Sequence, residues 1–147
     1  VLVESLAYCR ERKGLSVFAY VIMPTHFHAI VGADSQSELT PIMRDLKRHT
    51  AWKLVETLKA MGWELPLRAF RKAAEIDGRG NEHKVWQEEF HPVALQSEQI
   101  FNQKLSYLHE NPVRKGLVRK AEDWWYSSAR AWLDGEEGPL KVDVLEG

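Results

Sequence analysis

At 147 residues, with 44% hydrophobic and 28% charged side chains, the chain has the length and composition of one soluble globular domain. A net charge of −1 excludes a protein that coats nucleic acid by bulk electrostatics. No apolar run approaches the ~18 residues of a membrane span, no leader pattern opens the chain, and the single cysteine, Cys9, excludes an internal disulfide and suits a reducing cytoplasm.

From Val1 to about Arg12, Leu2, Leu6 and Cys9 recur at helical spacing, and Lys13-Gly14 is the stop. Residues 16–23, SVFAYVIM, are rich in β-branched and aromatic side chains. Pro24-Thr25 breaks the run, and HFHAIVG (26–32) resumes it, which predicts two strands joined by a tight turn. Thr40 then reads as an N-cap with Pro41 at the first helical position. Leu39, Ile42, Met43, Leu46, Thr50, Leu54 and Leu58 carry the stripe of that helix to Met61, and Gly62 ends it.

Residues 66–84 are polar, hold Gly78 and Gly80, and read as an exposed, mobile loop. Val85 to Leu95 alternates as a strand, with Pro92 pushing it to a sheet edge. Ser97 caps a helix from Glu98 to about Glu110, with Phe101, Leu105 and Leu108 as its core stripe, and Asn111-Pro112 ends it. The tail, residues 119–147, packs back on this single domain through Trp124, Trp125 and Tyr126. The whole is an α+β chain with helices backing an antiparallel sheet. A ferredoxin-like plan needs four strands, one of them before the first helix. Three are counted here, which would put the missing strand upstream of Val1.

His26 and His28 stand two apart on an extended segment, so both imidazoles leave one face as a half-site for a divalent cation. An isolated His-x-His is as easily two ordinary edge-strand histidines. Tyr107 shares a helix face with Lys104 and Asn111, beside the apolar stripe. A phenol next to a cation can attack phosphorus, and the Asn111 amide oxygen can turn toward the same cation. A boundary tyrosine and a helix-capping asparagine fit the same spacing. His49, His83, His91 and His109 are scattered and read as surface residues or as partners of the ligands. Other chemistries lack their parts: there is no His-Glu-x-x-His, no cysteine set for zinc, no phosphate-binding glycine loop for a nucleotide cofactor and no Gly-x-Ser-x-Gly.

Three blocks in order carry a more specific signal: YVIMPTHFHAIV (20–31), VWQEEFHPV (85–93), and YLHENPVRKGLV (107–118) followed by DWWYSS (123–128). Together they resemble the HUH single-tyrosine transposases, in particular the REP-associated branch, over nearly the whole chain. Thr25 stands where relatives often carry Asn. The resemblance implies a ferredoxin-like sheet bearing His26 and His28 as metal ligands, Tyr107 as the nucleophile and Asn111 as a third, polar ligand, with Mg²⁺ or Mn²⁺. Two imidazoles suit Mn²⁺ better. It implies cleavage and rejoining of single-stranded, hairpin-bearing DNA through a 5′-phosphotyrosine, by a monomer or homodimer.

Arg44, Lys47, Arg48, Lys104, Arg114 and Lys115 are the leading DNA-contacting cations, with Arg68, Arg71, Lys72, Arg119 and Lys120 behind them. A relative that binds DNA hairpins without cutting them is the alternative. A hydrolase of small phosphoesters ranks last, because it leaves Tyr107 without a task.

Overall fold

The computed structural model describes residues 1–87 and 97–145, apart from the side chains of 36 and 37. Helix α1 (Leu2–Arg12) leads into strand β1 (Ser16–Ile22), which pairs antiparallel with β2 (Phe27–Gly32). The long helix α2 (Gln36–Met61) and helix α3 (Glu64–Asp77) follow. After them come α4 (Glu98–His109), the short α5 (Asn111–Arg114), a 3₁₀ turn at Ala121–Asp123 and α6 (Ala129–Asp134). The chain is therefore α+β, with a two-stranded antiparallel sheet packed between helices in an arrangement consistent with the ferredoxin-like plan.

The two faces of the hairpin have different owners. Ala19, Val21 and Met23, with Ile30 beside them, pack against Leu105 and Leu108 of α4 and against Trp124. On the other face Val17, Tyr20, Ile22, Ala29 and Val31 meet Leu6 and Cys9 of α1 and Leu39, Ile42, Met43 and Leu46 of α2. Strict alternation would put Val17 on the face of Ala19. The register shifts between Val17 and Ala19, and that extra residue moves Val17 to the side of α1 and α2.

The tail closes the free edge of β1. Ile22 donates its N–H to the Tyr126 carbonyl at 2.8 Å, and Ser128 donates its N–H to the Tyr20 carbonyl at 2.9 Å. Further along, the Val17 N–H donates to the Asp143 carboxylate at 2.9 Å, while the Asp143 N–H returns to the Val17 carbonyl at 2.8 Å. The same carboxylate takes a forked pair of bonds from Arg10 of α1, at 2.9 and 2.6 Å. Burial raises the pKa of Asp143, but the Arg10 bonds and the Val17 N–H outweigh it and hold the group below the usual carboxylate value.

Three expectations need correction. Helix α2 begins at Gln36, not at Thr40-Pro41. The Ser35 side chain accepts the Glu38 N–H, a Ser-x-x-Glu start that outcompetes the later Thr-Pro signal and leaves Pro41 inside the helix. Residues 66–77 of the expected mobile loop are helical. Leu67, Phe70 and Ala74 recur at spacings of three and four; Leu67 and Phe70 join Val55 and Leu58 of α2 in a small core, and Gly78 ends the helix in the left-handed conformation. Residues 85–87 form no strand, and the rest of the strand expected over 85–95 lies outside the described residues.

The α3 assignment sets up a paired test. Leu67→Ala, at a buried position, should lower the unfolding free energy by about 2–4 kcal/mol in urea titrations. Leu65→Ala, at a position 81% exposed, should change it by less than ~0.5 kcal/mol. Equal effects would mean that α3 does not pack on α2.

Candidate metal and tyrosine site

The hairpin positions the histidines. Met23 donates its N–H to the His26 carbonyl at 2.8 Å, which closes the Pro24-Thr25 turn, so His26 sits at the turn and β2 starts one residue later. His28 pairs with Val21 across the sheet, and residues opposed in this way share a face. Both histidines therefore project from the face that α4 covers, while Phe27 points to the other side and meets Trp86 edge-on. Trp86 is anchored in turn to α2, donating its indole N–H to the Lys47 carbonyl and Thr50 hydroxyl.

The two imidazole centroids are 5.1 Å apart and edge to face. A cation roughly 2.1 Å from one nitrogen of each ring would hold the centroids on the order of 5 Å apart, so the pair fits joint ligation of one ion. His26 Nδ1 lies 3.1 Å from the Thr25 hydroxyl. That contact would leave Nε2 available to a metal ion and hold the ring, the task that hydrogen-bonded neighbours of metal ligands perform. Thr25 thus touches the histidine pair directly. Its signal was its place immediately before His-x-His in the turn. Among the described residues no third His, Cys, Asp or Glu joins the pair.

Tyr107 lies near the end of α4, between Leu105 and Leu108, which face the sheet. A full turn of helix separates residues 3.6 apart, so Tyr107 falls on the outer side, and it is 62% exposed. It lines an open groove with Glu98, Asn102, Ser106, Glu110 and Arg114; neither histidine lines that groove. The guanidinium of Arg114 stacks 3.9 Å over the phenol ring and donates to the Tyr107 carbonyl at 2.8 Å. Asn111 begins α5 and is 5% exposed. The structure thus brings the histidine pair and the tyrosine helix to one face of the sheet, with the phenol turned outward along that helix.

The expected DNA-contacting cations divide. Arg44 and Arg48 are exposed on α2, at 3.6 and 3.0 Å from the Asp45 carboxylate, which Lys13 also approaches at 3.4 Å. Lys47 is half-buried. Lys104, on the tyrosine's own helix, and Lys115, after α5, are exposed, whereas Arg114 is held over the Tyr107 ring. Arg71 is paired with Glu64, and Arg68, Lys72, Arg119 and Lys120 are exposed. His91 lies outside the described residues.

His109 corrects the reading of the scattered histidines. It is buried, and its Nε2 sits 2.7 Å from the Ser128 hydroxyl. That hydroxyl also accepts the Tyr20 N–H at 2.9 Å and reaches the Tyr20 carbonyl at 3.2 Å. With the hydroxyl proton on the carbonyl, His109 donates from Nε2 as a neutral ring. Loss of hydration on burial lowers its pKa from 6.5 to about 4. One sequence signal existed: His109 lies four residues after Leu105 and one after Leu108, on the apolar stripe of α4.

No protein-family model and no curated protein sequence matches this chain significantly. Among solved structures, a REP-associated tyrosine transposase bound to a REP hairpin matches over 99% of this chain and 74% of its own, at 18% identity and a TM-score of 0.54. At that identity the likeness is one of fold. No helix among the described residues is long and apolar enough to cross a membrane.

The His109 shift makes stability pH-dependent. The folded state resists protonating this ring while the unfolded chain takes up a proton near pH 6.5. The contribution is therefore complete above that value, is lost as pH falls toward about 4, and changes no further below it. The loss should be on the order of 3 kcal/mol. Unfolding free energies of wild type and His109→Gln across pH 7 to pH 4 would check this, since the variant should lack this part of the slope.

Proposed function

We propose that the chain is a metal-dependent, single-tyrosine DNA strand-transfer nuclease acting on hairpin-bearing single strands. The observation that carries the reading is the pair of imidazoles, 5.1 Å apart, on the sheet face covered by the helix that bears Tyr107. The shared fold with a transposase bound to a DNA hairpin supports it.

In this reading Tyr107 Oη attacks phosphorus in line with the 3′ oxygen. The P–O3′ bond breaks, the phenol proton passes to water, and the departing oxygen takes up a proton as a free 3′-OH. The 5′-phosphotyrosine keeps the ester's energy, so attack by a 3′-OH rejoins a strand without a nucleotide triphosphate. His26 and His28 would hold Mn²⁺ or Mg²⁺, with the Asn111 amide as the candidate oxygen donor from the end of the tyrosine helix. A cation bound there supplies positive charge beside the phosphate oxygens. Arg114 adds a fixed positive charge over the phenol, and the exposed Lys104 and Lys115 are the candidate phosphate contacts before and after it in the sequence. Attack on a phosphate held at the histidines requires the phenol to be presented to that face, by a turn of α4 or by the α4 of a second copy.

A second reading has its own support. The outward placement of Tyr107, in a groove that excludes both histidines, is what a DNA-hairpin binder that has lost cleavage would tolerate.

One assay separates the two. Labelled hairpin DNA with a single-stranded flank, incubated with the protein and Mn²⁺, should leave a covalent adduct that survives denaturing electrophoresis. Tyr107→Phe should abolish it while hairpin binding persists, and an adduct undiminished in that variant would refute the assignment. Hairpin binding with no wild-type adduct at any metal concentration would favour the binding-only reading. Removing the Thr25 hydroxyl with Thr25→Val should raise the Mn²⁺ concentration for half-maximal adduct by roughly tenfold, whereas His26→Ala should eliminate the metal response.

A further inference from the structure

Helices α1 and α2 pack on the sheet face opposite α4, and between them runs a groove of ≈ 610 Å³. Two large aromatic side chains line it and remain mostly exposed, Tyr8 at 57% and Trp52 at 59%. Trp52 is bracketed on its own helix by His49, with ring centroids 5.9 Å apart, and by Lys53, whose Nζ is 6.0 Å from the indole centroid. Lys13, Arg48 and Lys53 give the lining three cations against the carboxylates of Glu4 and Asp45. Asp45 is already compensated, with Lys13 at 3.4 Å and Arg48 at 3.0 Å. Three cations against two carboxylates leave the lining one positive charge in excess, which favours an approaching anion.

We propose that this groove binds a segment of single-stranded nucleic acid, with bases stacked on Tyr8 and Trp52 and phosphates drawn to Lys13, Arg48 and Lys53. Exposed π-faces interleaved with cations are what an unpaired strand requires, because every base offers a stacking face and every linkage a negative charge. A duplex hides its base faces and would leave both aromatics unused. An apolar helix docking here would have to bury the Lys53 ammonium and the Arg48–Asp45 ion pair, taking their charges out of water. The site lies across the sheet from Tyr107, so it goes beyond the strand-transfer reading and does not rest on it. A strand held here is gripped away from any chemistry at the phenol.

Fluorescence anisotropy with a labelled oligothymidylate, which has no hairpin, tests the proposal on the full chain. Trp52→Ala and Tyr8→Ala should each weaken binding by roughly tenfold, with circular dichroism unchanged because both side chains are on the surface. Lys53→Gln should reduce the dependence of log Kd on log salt by about 0.7, the share of one single-strand phosphate contact. The titration is run without a divalent metal and reads affinity alone, so failure of the cleavage assay and failure of this one are distinguishable. Wild-type affinity in both aromatic variants would overturn the proposal. So would sedimentation showing that Trp52→Ala breaks a wild-type dimer while leaving oligothymidylate affinity intact, which would make this face a contact between copies of the chain.

Discussion

The Ser128 hydroxyl is the point on which the architecture turns. Two antiparallel strands alone are marginally stable in water, and a bare edge on β1 would leave its peptide groups unpaired. Ser128 satisfies the Tyr20 N–H from its side chain and the Tyr20 carbonyl from its backbone, while the same oxygen meets His109 at the end of α4. One residue thus joins the tail, the sheet and the tyrosine helix. Trp124 and Trp132 extend the seam by donating indole N–H groups to the Ile22 and Phe18 carbonyls. Gly138 packs beside the seam, where a Cβ would stand at ordinary contact distance, 3.4 Å from the Tyr20 hydroxyl and 3.5 Å from the Ser127 carbonyl.

That seam sets the geometry of the candidate site. The sheet fixes the imidazoles through pairing and the Pro24-Thr25 turn. The His109–Ser128 contact and the Leu105/Leu108 packing fix the height and rotation of α4. With both constraints in place, Tyr107 cannot face the solvent-side groove and the sheet at once. The position of the helix that carries the phenol therefore decides whether Tyr107 and the histidines can meet. Arg114 restrains it further, since its stacked guanidinium ties the ring to α5.

Much of this was legible in the chain itself, for local reasons. A strand period of two places His26 and His28 on one face whatever the tertiary structure, and Ser97 announces α4 because few residues cap as well. Where two local signals compete, the sequence misleads: Ser35-x-x-Glu38 and Thr40-Pro41 both mark a helix start, and the bonded cap prevailed. Helix α3 was hidden because Pro66 reads as a breaker, although proline is tolerated in a first helical turn, and because its apolar stripe is thin. The role of His109 was hidden for another reason. A histidine on an apolar stripe carries no mark of its partner when that partner, Ser128, lies 19 positions away in the tail. The outward turn of Tyr107 was readable only in part, from its place between two core leucines.

The tail's grip on β1 also governs when the chain can finish folding. Arg10 and Asp143 are 133 positions apart, and Tyr20 and Ser128 are 108 apart. Such distant closures come late and slow the search for the native topology. During synthesis the hairpin emerges before the tail with an unprotected edge, and it stays open until the segment from Ser128 to Asp143 has left the ribosome. In that interval the nascent chain is exposed to edge-to-edge association with its neighbours, and escape from it depends on chaperones or on dilution.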